Sequence, residues 1–133
     1  MRKKMCLFIF LFLSACSSKD LGKNLYVLEG DSLQDKIIVY CTGKSFGDCI
    51  SGSYLIPKSY NEHFDSSGHY KEYVDNVAYN NDYIIATTFF IRERKKRYWI
   101  IIKNTERDKS ILGPLDYETF LLEKKKKGII LDF

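Results

Sequence analysis

Residues 83–103 read YIIATTFFI-RERKKR-YWIIIK, two strongly apolar runs on either side of a short charged segment. Ile, Tyr, Phe and Thr favour the pleated, half-buried surface of a β-strand. Residues 83–91 and 98–103 are therefore predicted to be paired strands, with residues 92–97 at the tip of their hairpin. Upstream, the strand-like run 73–79 ends at NND, whose residue types tolerate the φ > 0 of tight turns. The sequence predicts an antiparallel meander of three strands.

The first half of the chain contains further runs with strand-like length and composition. They are residues 25–28, 36–41 and 49–56. Residues 58–72 show no sustained periodicity and are predicted to form a long surface loop.

One helix is indicated near the C-terminus. Asp116 is a suitable N-cap, and Gly128 is a suitable C-terminal stop after a run of four lysines. An apolar face would be formed by Tyr117, Phe120 and Leu121. The predicted fold class is α+β and mainly β, a small antiparallel meander sheet with one C-terminal helix packed on it.

The N-terminus combines a basic head with a short apolar run. Arg2, Lys3 and Lys4 precede the run MCLFIFLFL at residues 5–13. A membrane-spanning helix needs about 20 apolar residues, so this run is too short to be one. The order of basic head, apolar run and small residues is typical of a cleaved signal peptide.

The residues that follow, Leu13, Ser14, Ala15 and Cys16, resemble the lipobox of bacterial lipoproteins. The resemblance implies that residues 1–15 are a signal peptide that is removed. It also implies that Cys16 carries a diacylglyceryl group on its sulfur and a further acyl chain, such as palmitate, on its new amine. At least two chains hold a protein stably on a membrane. An ordinary cleaved signal peptide with a chance cysteine is the alternative.

Removal of residues 1–15 leaves 118 of the 133 residues, the length of one domain. Residues 16–24 are predicted to be the lipidated N-terminus and a polar tether, and residues 25–133 a single β-rich domain. In the lipoprotein class, Asp directly after the cysteine favours retention at the inner membrane. Ser17 stands there in this chain, so the outer membrane is favoured modestly over the inner one.

The net charge argues against nucleic acid as a partner. The signal peptide contains three of the 21 basic residues and none of the 17 acidic ones, so the net charge falls from +4 to +1. Proteins that bind nucleic acid have a strongly basic face.

Two cysteines remain beyond Cys6 and Cys16. An even pair in an exported, periplasmic domain most simply forms a disulfide, here between Cys41 and Cys49. The polar residues 42–48 between them contain two glycines and separate two strand-like runs, which would place both sulfurs across a hairpin. Free thiols are the alternative, and the spacing fits neither a CxxC redox pair nor a metal site.

The C-terminal half carries a second resemblance. YIIATTFF, YWIIIK and GPLDYETFLLEKKKKGI follow one another between residues 74 and 130. This succession is similar to a family of small bacterial lipoproteins of unknown function, and its motifs are structural. The resemblance implies a small β-rich envelope domain.

Candidate chemical sites are few. His63, Asp65 and His69 form the one candidate metal cluster, but their spacing matches no known metal motif. Both histidines are predicted to be solvated loop residues. No GxSxG or GxxxxGK[ST] motif is present. We therefore expect no catalytic, cofactor-binding or metal-binding residue.

The charged segment 92–97 has five cations and one anion. It is predicted to be a solvated tip that protects the sheet from edge pairing. Contact with anionic head groups or with an anionic envelope polymer is the alternative, at about 1 kcal/mol per cation near a charged surface.

These patterns predict a lipid-anchored cell-envelope protein with a non-enzymatic binding or structural role at the membrane surface. Its partners would be the membrane, through the anchor, and an envelope protein or polymer. One alternative is an inhibitor or immunity-type protein acting on a toxin or envelope hydrolase, which would need an exposed aromatic patch. A second is a small envelope enzyme, which would need a concave pocket with convergent polar groups.

Overall fold

The computed structural model describes residues 17–104 and 110–133. Cys16 and the predicted signal peptide lie outside the described residues. The chain divides into two compact units, one ending at Tyr73 and one starting at Val74. The single domain predicted for residues 25–133 stays a prediction.

The first unit is built on an antiparallel sheet of four strands in the order β1-β2-β3-β4. Its strands are β1 (Ser17–Gly22), β2 (Leu25–Glu29), β3 (Ile37–Ser45) and β4 (Asp48–Ile56). A 3₁₀ turn, Leu33–Asp35, precedes β3, and a one-turn helix, α1 (Tyr60–His63), follows β4. Three of these strands match the predicted runs.

The structure corrects the prediction of a tether. Residues 17–22 form an edge strand that pairs with β2, with Ser17 opposite Glu29 and Lys19 opposite Val27. Only Leu21 of SSKDLG is apolar, and it is buried. A polar edge strand looks like a linker in the sequence because its pairing depends on backbone hydrogen bonds, which carry no side-chain signature.

The β3–β4 hairpin is bent. Its pairing register shifts three times between Ile38 and Lys44, and bulges of this kind bend and twist a strand pair. On the same hairpin, Lys44 Nζ lies 5.4 Å from the ring centroid of Tyr26 in β2. One cluster of buried residues in the first unit consists of Tyr26, Ile37, Val39, Cys41 and Cys49.

The second sheet also has four antiparallel strands, in the order β5-β6-β7-β8. They are β5 (Glu72–Tyr79), β6 (Tyr83–Phe90), β7 (Lys95–Ile102) and β8 (Ile111–Leu115). The predicted meander of three strands is confirmed, with Ile84 opposite Ile101 and Ala86 opposite Trp99. The predicted tip is shorter than expected because β7 already begins at Lys95.

One element of the C-terminal region differs from the predictions and another matches them. Gly113 and Pro114 lie inside β8, which the sequence did not predict. Proline is tolerated there because β8 is an edge strand, where one side of the backbone needs no partner. The helix α2 (Tyr117–Lys127) is capped by Asp116 and ends at Gly128, as predicted.

The predicted apolar face of α2 is only partly buried. Phe120 packs with Ile85, Ile100 and Ile129, whereas Tyr117 remains 55% exposed. The fold class, α+β and mainly β with a C-terminal helix, is confirmed, and the strands are divided between two sheets. Within the described residues, no helix is long and apolar enough to cross a membrane.

Candidate functional site

The turn between β3 and β4 presents an aromatic side chain to solvent. Phe46 and Gly47 form a two-residue loop with φ values of 52° and 85°, the signature of a type I′ hairpin turn. Asn, Asp and Gly suit this conformation, and a left-handed conformation costs other residues about 1–2 kcal/mol. The Phe46 side chain is fully exposed, at 104%. The tip thus contains an aromatic residue that benefits neither the turn nor the core.

The hairpin is cross-linked directly below this tip. Cys41 and Cys49 are joined as a disulfide, with their Cα atoms 5.9 Å apart. Both residues are buried beside Val39 and Tyr26. The disulfide predicted from the sequence is confirmed, and it limits how far the tip can move relative to the core of the first unit.

The start of β1 lies against the start of β4. The Ser18 hydroxyl donates to Asp48 Oδ1 at 3.2 Å and accepts from the backbone N–H of Cys49, also at 3.2 Å. These contacts fix the N-terminal end of the described chain beside the hairpin tip. A second exposed apolar residue, Ile50, lies on β4 nearby.

The predicted surface loop 58–72 has a buried centre. Ser59 caps α1, accepting a hydrogen bond from the backbone N–H of Glu62, and the last helical residue, His63, is only 2% exposed. The prediction that His63 is solvated is therefore wrong. A helix of four residues has too little periodicity to be recognised in a sequence, so its buried side was not predicted.

Both ring nitrogens of His63 are occupied within the first unit. Nε2 lies 2.8 Å from the backbone carbonyl oxygen of Gln34, and Nδ1 lies 3.0 Å from Tyr54 Oη. A carbonyl can only accept, so Nε2 carries the proton and Nδ1 accepts from the tyrosine hydroxyl. Burial lowers the pKa of His63, against the opposing effects of the Gln34 carbonyl and the Asp35 charge. The neutral imidazole acts here as a structural connector.

Aromatic rings surround His63. Its ring centroid lies 4.2 Å from that of Phe64, 5.6 Å from that of Tyr70 and 5.8 Å from that of Tyr54. Burial raises the pKa of Tyr54 to about 12. The Tyr70 hydroxyl donates to a carboxylate oxygen of Asp35. The cluster joins α1, β4 and the 3₁₀ turn through satisfied polar contacts.

The structure does not bring the three candidate metal ligands together. The Asp65 carboxylate accepts from the backbone N–H groups of Ser67 and His69, and the hydrogen bond from His69 is the main cause of its lowered pKa. The His69 side chain is exposed, as predicted, whereas His63 is buried in the aromatic cluster. Within residues 17–104 and 110–133, no group of three His, Cys, Asp or Glu side chains could hold a metal ion.

The cations of the basic segment 92–97 make local contacts. Three of its five cations have specific partners: Lys95 contacts Glu93 at 2.9 Å, Lys96 contacts Asp75 at 3.4 Å, and the Arg97 guanidinium lies 3.7 Å from the ring centroid of Phe90. The hydrogen bond from Lys95 lowers the pKa of Glu93. These contacts weaken the case for a strongly attractive polybasic patch.

An exposed apolar surface also lies on α2. Tyr117, Leu121 and Leu122 are 55%, 42% and 64% exposed. The predicted face of the helix thus divides into a buried residue, Phe120, and a solvent-facing group.

Two of these features, the exposed Phe46 and the buried His63, were not predicted from the sequence. The dipeptide Phe46-Gly47 between two strand-like runs was a signal for a tight turn, and an aromatic residue in such a turn would point outward. Comparison of the chain with protein-family models, with curated proteins and with solved structures gives no match. The resemblances to the lipobox and to the small lipoprotein family stay predictions.

Proposed function

We propose that the protein is a lipid-anchored lipoprotein of the bacterial cell envelope with a non-enzymatic binding or structural role at the membrane surface. Residues 1–15 act as the export signal, and acyl chains on Cys16 hold the remaining chain on the membrane. The observation that carries the proposal is the order of basic head, short apolar run and Leu-Ser-Ala-Cys. Ser17 after the cysteine favours the outer membrane over the inner one.

The anchor supplies the binding energy in this proposal. Each methylene buried in the bilayer contributes about 0.8 kcal/mol, and two or more chains give stable attachment. The pair Cys41 and Cys49 supports an oxidising compartment, because disulfides persist in exported proteins. β1 begins at Ser17, one residue after the proposed attachment point.

The buried histidine supports the non-enzymatic part of the proposal. A general base needs a nitrogen that can reach a substrate, and both nitrogens of His63 bind Tyr54 and the Gln34 carbonyl. Of the two histidines, His63 is buried and His69 is exposed. The buried position of His63 fits a structural role.

Intact-mass measurement of the chain extracted from membranes tests this proposal. The native protein should have the mass of residues 16–133 plus a diacylglyceryl group and one further acyl chain. A Cys16→Ser variant should lose the lipid mass, whereas Cys6→Ser, a matched change inside the signal peptide, should leave the mature mass unchanged. Recovery of an unmodified chain that starts at Met1 in the cytoplasm would refute the proposal.

The exposed face of α2 favours a second function, an inhibitor or immunity-type protein. Interfaces are enriched in aromatic side chains. Exposed Tyr117 lies one helical turn before exposed Leu121, and exposed Leu122 follows Leu121 in the chain. Affinity capture from envelope extracts tests it, with Leu122→Asp as the variant. A toxin or hydrolase bound by the native chain and lost with the variant would support this function. Equal capture by both chains would exclude the helix face.

A further inference from the structure

The N-terminal end of the first unit and the tip of the β3–β4 hairpin are neighbours. Ser18 contacts both Asp48 Oδ1 and the backbone N–H of Cys49 at 3.2 Å. In the sequence, Ser18 follows the proposed attachment point, Cys16, by only two residues. Phe46, at the tip of the hairpin, precedes Asp48 by two residues.

Two exposed side chains close to this point are apolar, and the exposed charged residues Lys19, Lys44 and Asp48 lie near it in the chain. Phe46 is 104% exposed and Ile50 is 69% exposed. The charged groups that contact β1 here are acidic, since Ser17 Oγ donates to Glu29 and Ser18 Oγ donates to Asp48. Charged side chains of both signs thus lie near the tip, and the exposed Phe46 ring is the apolar group that the tip offers to a membrane.

We propose that Phe46 inserts into the lipid bilayer beside the acyl chains of Cys16, giving the first unit a second contact with the membrane. This inference rests on the proposed lipid anchor at Cys16. Residues close to a lipid-modified position are held at the membrane surface, and exposed Phe side chains partition about 5–10 Å into the boundary between head groups and acyl chains. The proposed acyl chains on Cys16 hold this tip next to the bilayer, so the bilayer is the partner that Phe46 would meet.

The disulfide suits this role. Cys41 and Cys49 cross-link the hairpin immediately below the tip and are packed in the core of the first unit. A rigid stem loses little conformational freedom on insertion, which favours binding. Two attachment points, the acyl chains and Phe46, would also set the orientation of the first unit on the membrane.

Tryptophan fluorescence of the full lipidated chain in vesicles of brominated phosphatidylcholine tests the proposal. Phe46→Trp places a reporter at the tip, and Tyr60→Trp is the matched control. Tyr60 is also an exposed aromatic of the first unit, at 58%. It lies beyond the opposite end of β4, a strand about 26 Å long at about 3.3 Å per residue. The native chain contains one tryptophan, the buried Trp99, and its fluorescence is the background to be subtracted from that of both variants.

The tryptophan at position 46 should be quenched about threefold more strongly than the one at position 60, as expected for insertion to the acyl boundary. Equal, weak quenching of both variants, with the lipid mass present, would overturn the insertion of Phe46 and leave the anchor intact. Absence of the lipid mass would overturn the proposed function and this inference with it. The two failures are therefore distinguishable.

Discussion

Replacement of His63 by phenylalanine tests the structural role that the geometry gives to this residue. The new ring retains the stacking against Phe64 and Tyr70 but removes both hydrogen bonds of the imidazole. A buried group that loses its partner costs about 1–3 kcal/mol. The Gln34 carbonyl and the half-buried Tyr54 hydroxyl together give an expected loss of about 2–4 kcal/mol in the free energy of unfolding.

Urea unfolding followed by far-ultraviolet circular dichroism measures this loss. His69→Phe is the matched control, because its exposed ring should change the free energy of unfolding by less than about 0.5 kcal/mol. Tyr54→Phe removes only one of the two hydrogen bonds and should cost about 1 kcal/mol.

The pH dependence gives an independent check of the same residue. Burial lowers the pKa of His63 in the folded chain below its unfolded value of about 6.5. The unfolded chain therefore binds more protons, and this part of the stability is complete above pH 6.5 and is lost as the pH falls below it. His63→Phe should flatten this slope. A variant that unfolds like the native chain and keeps the same acid-side slope would refute the structural role.

Three further predictions concern the hairpin and β8. Reduction of the Cys41–Cys49 disulfide, which closes a loop with a sequence separation of eight, should lower the free energy of unfolding by about 2.5 kcal/mol. Equal urea midpoints with and without reductant would contradict this. Phe46→Asn should stabilise the unlipidated chain by about 0.5–1 kcal/mol, because Asn suits the left-handed turn, and a loss of stability would show that Phe46 packs in the fold. Gly113→Ala should cost at least about 2 kcal/mol, because φ is 145° and the new Cβ would lie 2.7 Å from the Trp99 ring; unchanged thermal unfolding would disprove the clash.

Phe46 is expected to lower the stability of the fold while contributing to the proposed membrane contact. The residue occupies a turn that favours Asn or Gly and buries none of its side chain. Local strain of this kind is typical of functional positions. Phe46→Asn should therefore improve folding while removing the side chain that we propose to enter the bilayer.

The strand regions of the fold could be predicted from the sequence to a large extent. The apolar runs predicted at residues 83–91 and 98–103 supply most of β6 and β7, which pair from Tyr83 with Ile102 to Phe90 with Lys95. Their β-branched and aromatic composition by itself favours strands. The cap Asp116 and the stop Gly128 were likewise visible, since they act within one helical turn. The pairing of Cys41 and Cys49 followed from their number and the loop between them.

What the tertiary structure decided were the features that depend on partners distant in the chain. The strand β1 exists because β2 supplies its hydrogen bonds, and the proline-containing β8 exists because β7 does the same at the sheet edge. His63 is buried because Gln34, 29 residues away, meets its ring. Ser18 lies at the hairpin tip because its hydroxyl contacts Asp48 and the backbone N–H of Cys49, which are 30 and 31 residues away in the chain.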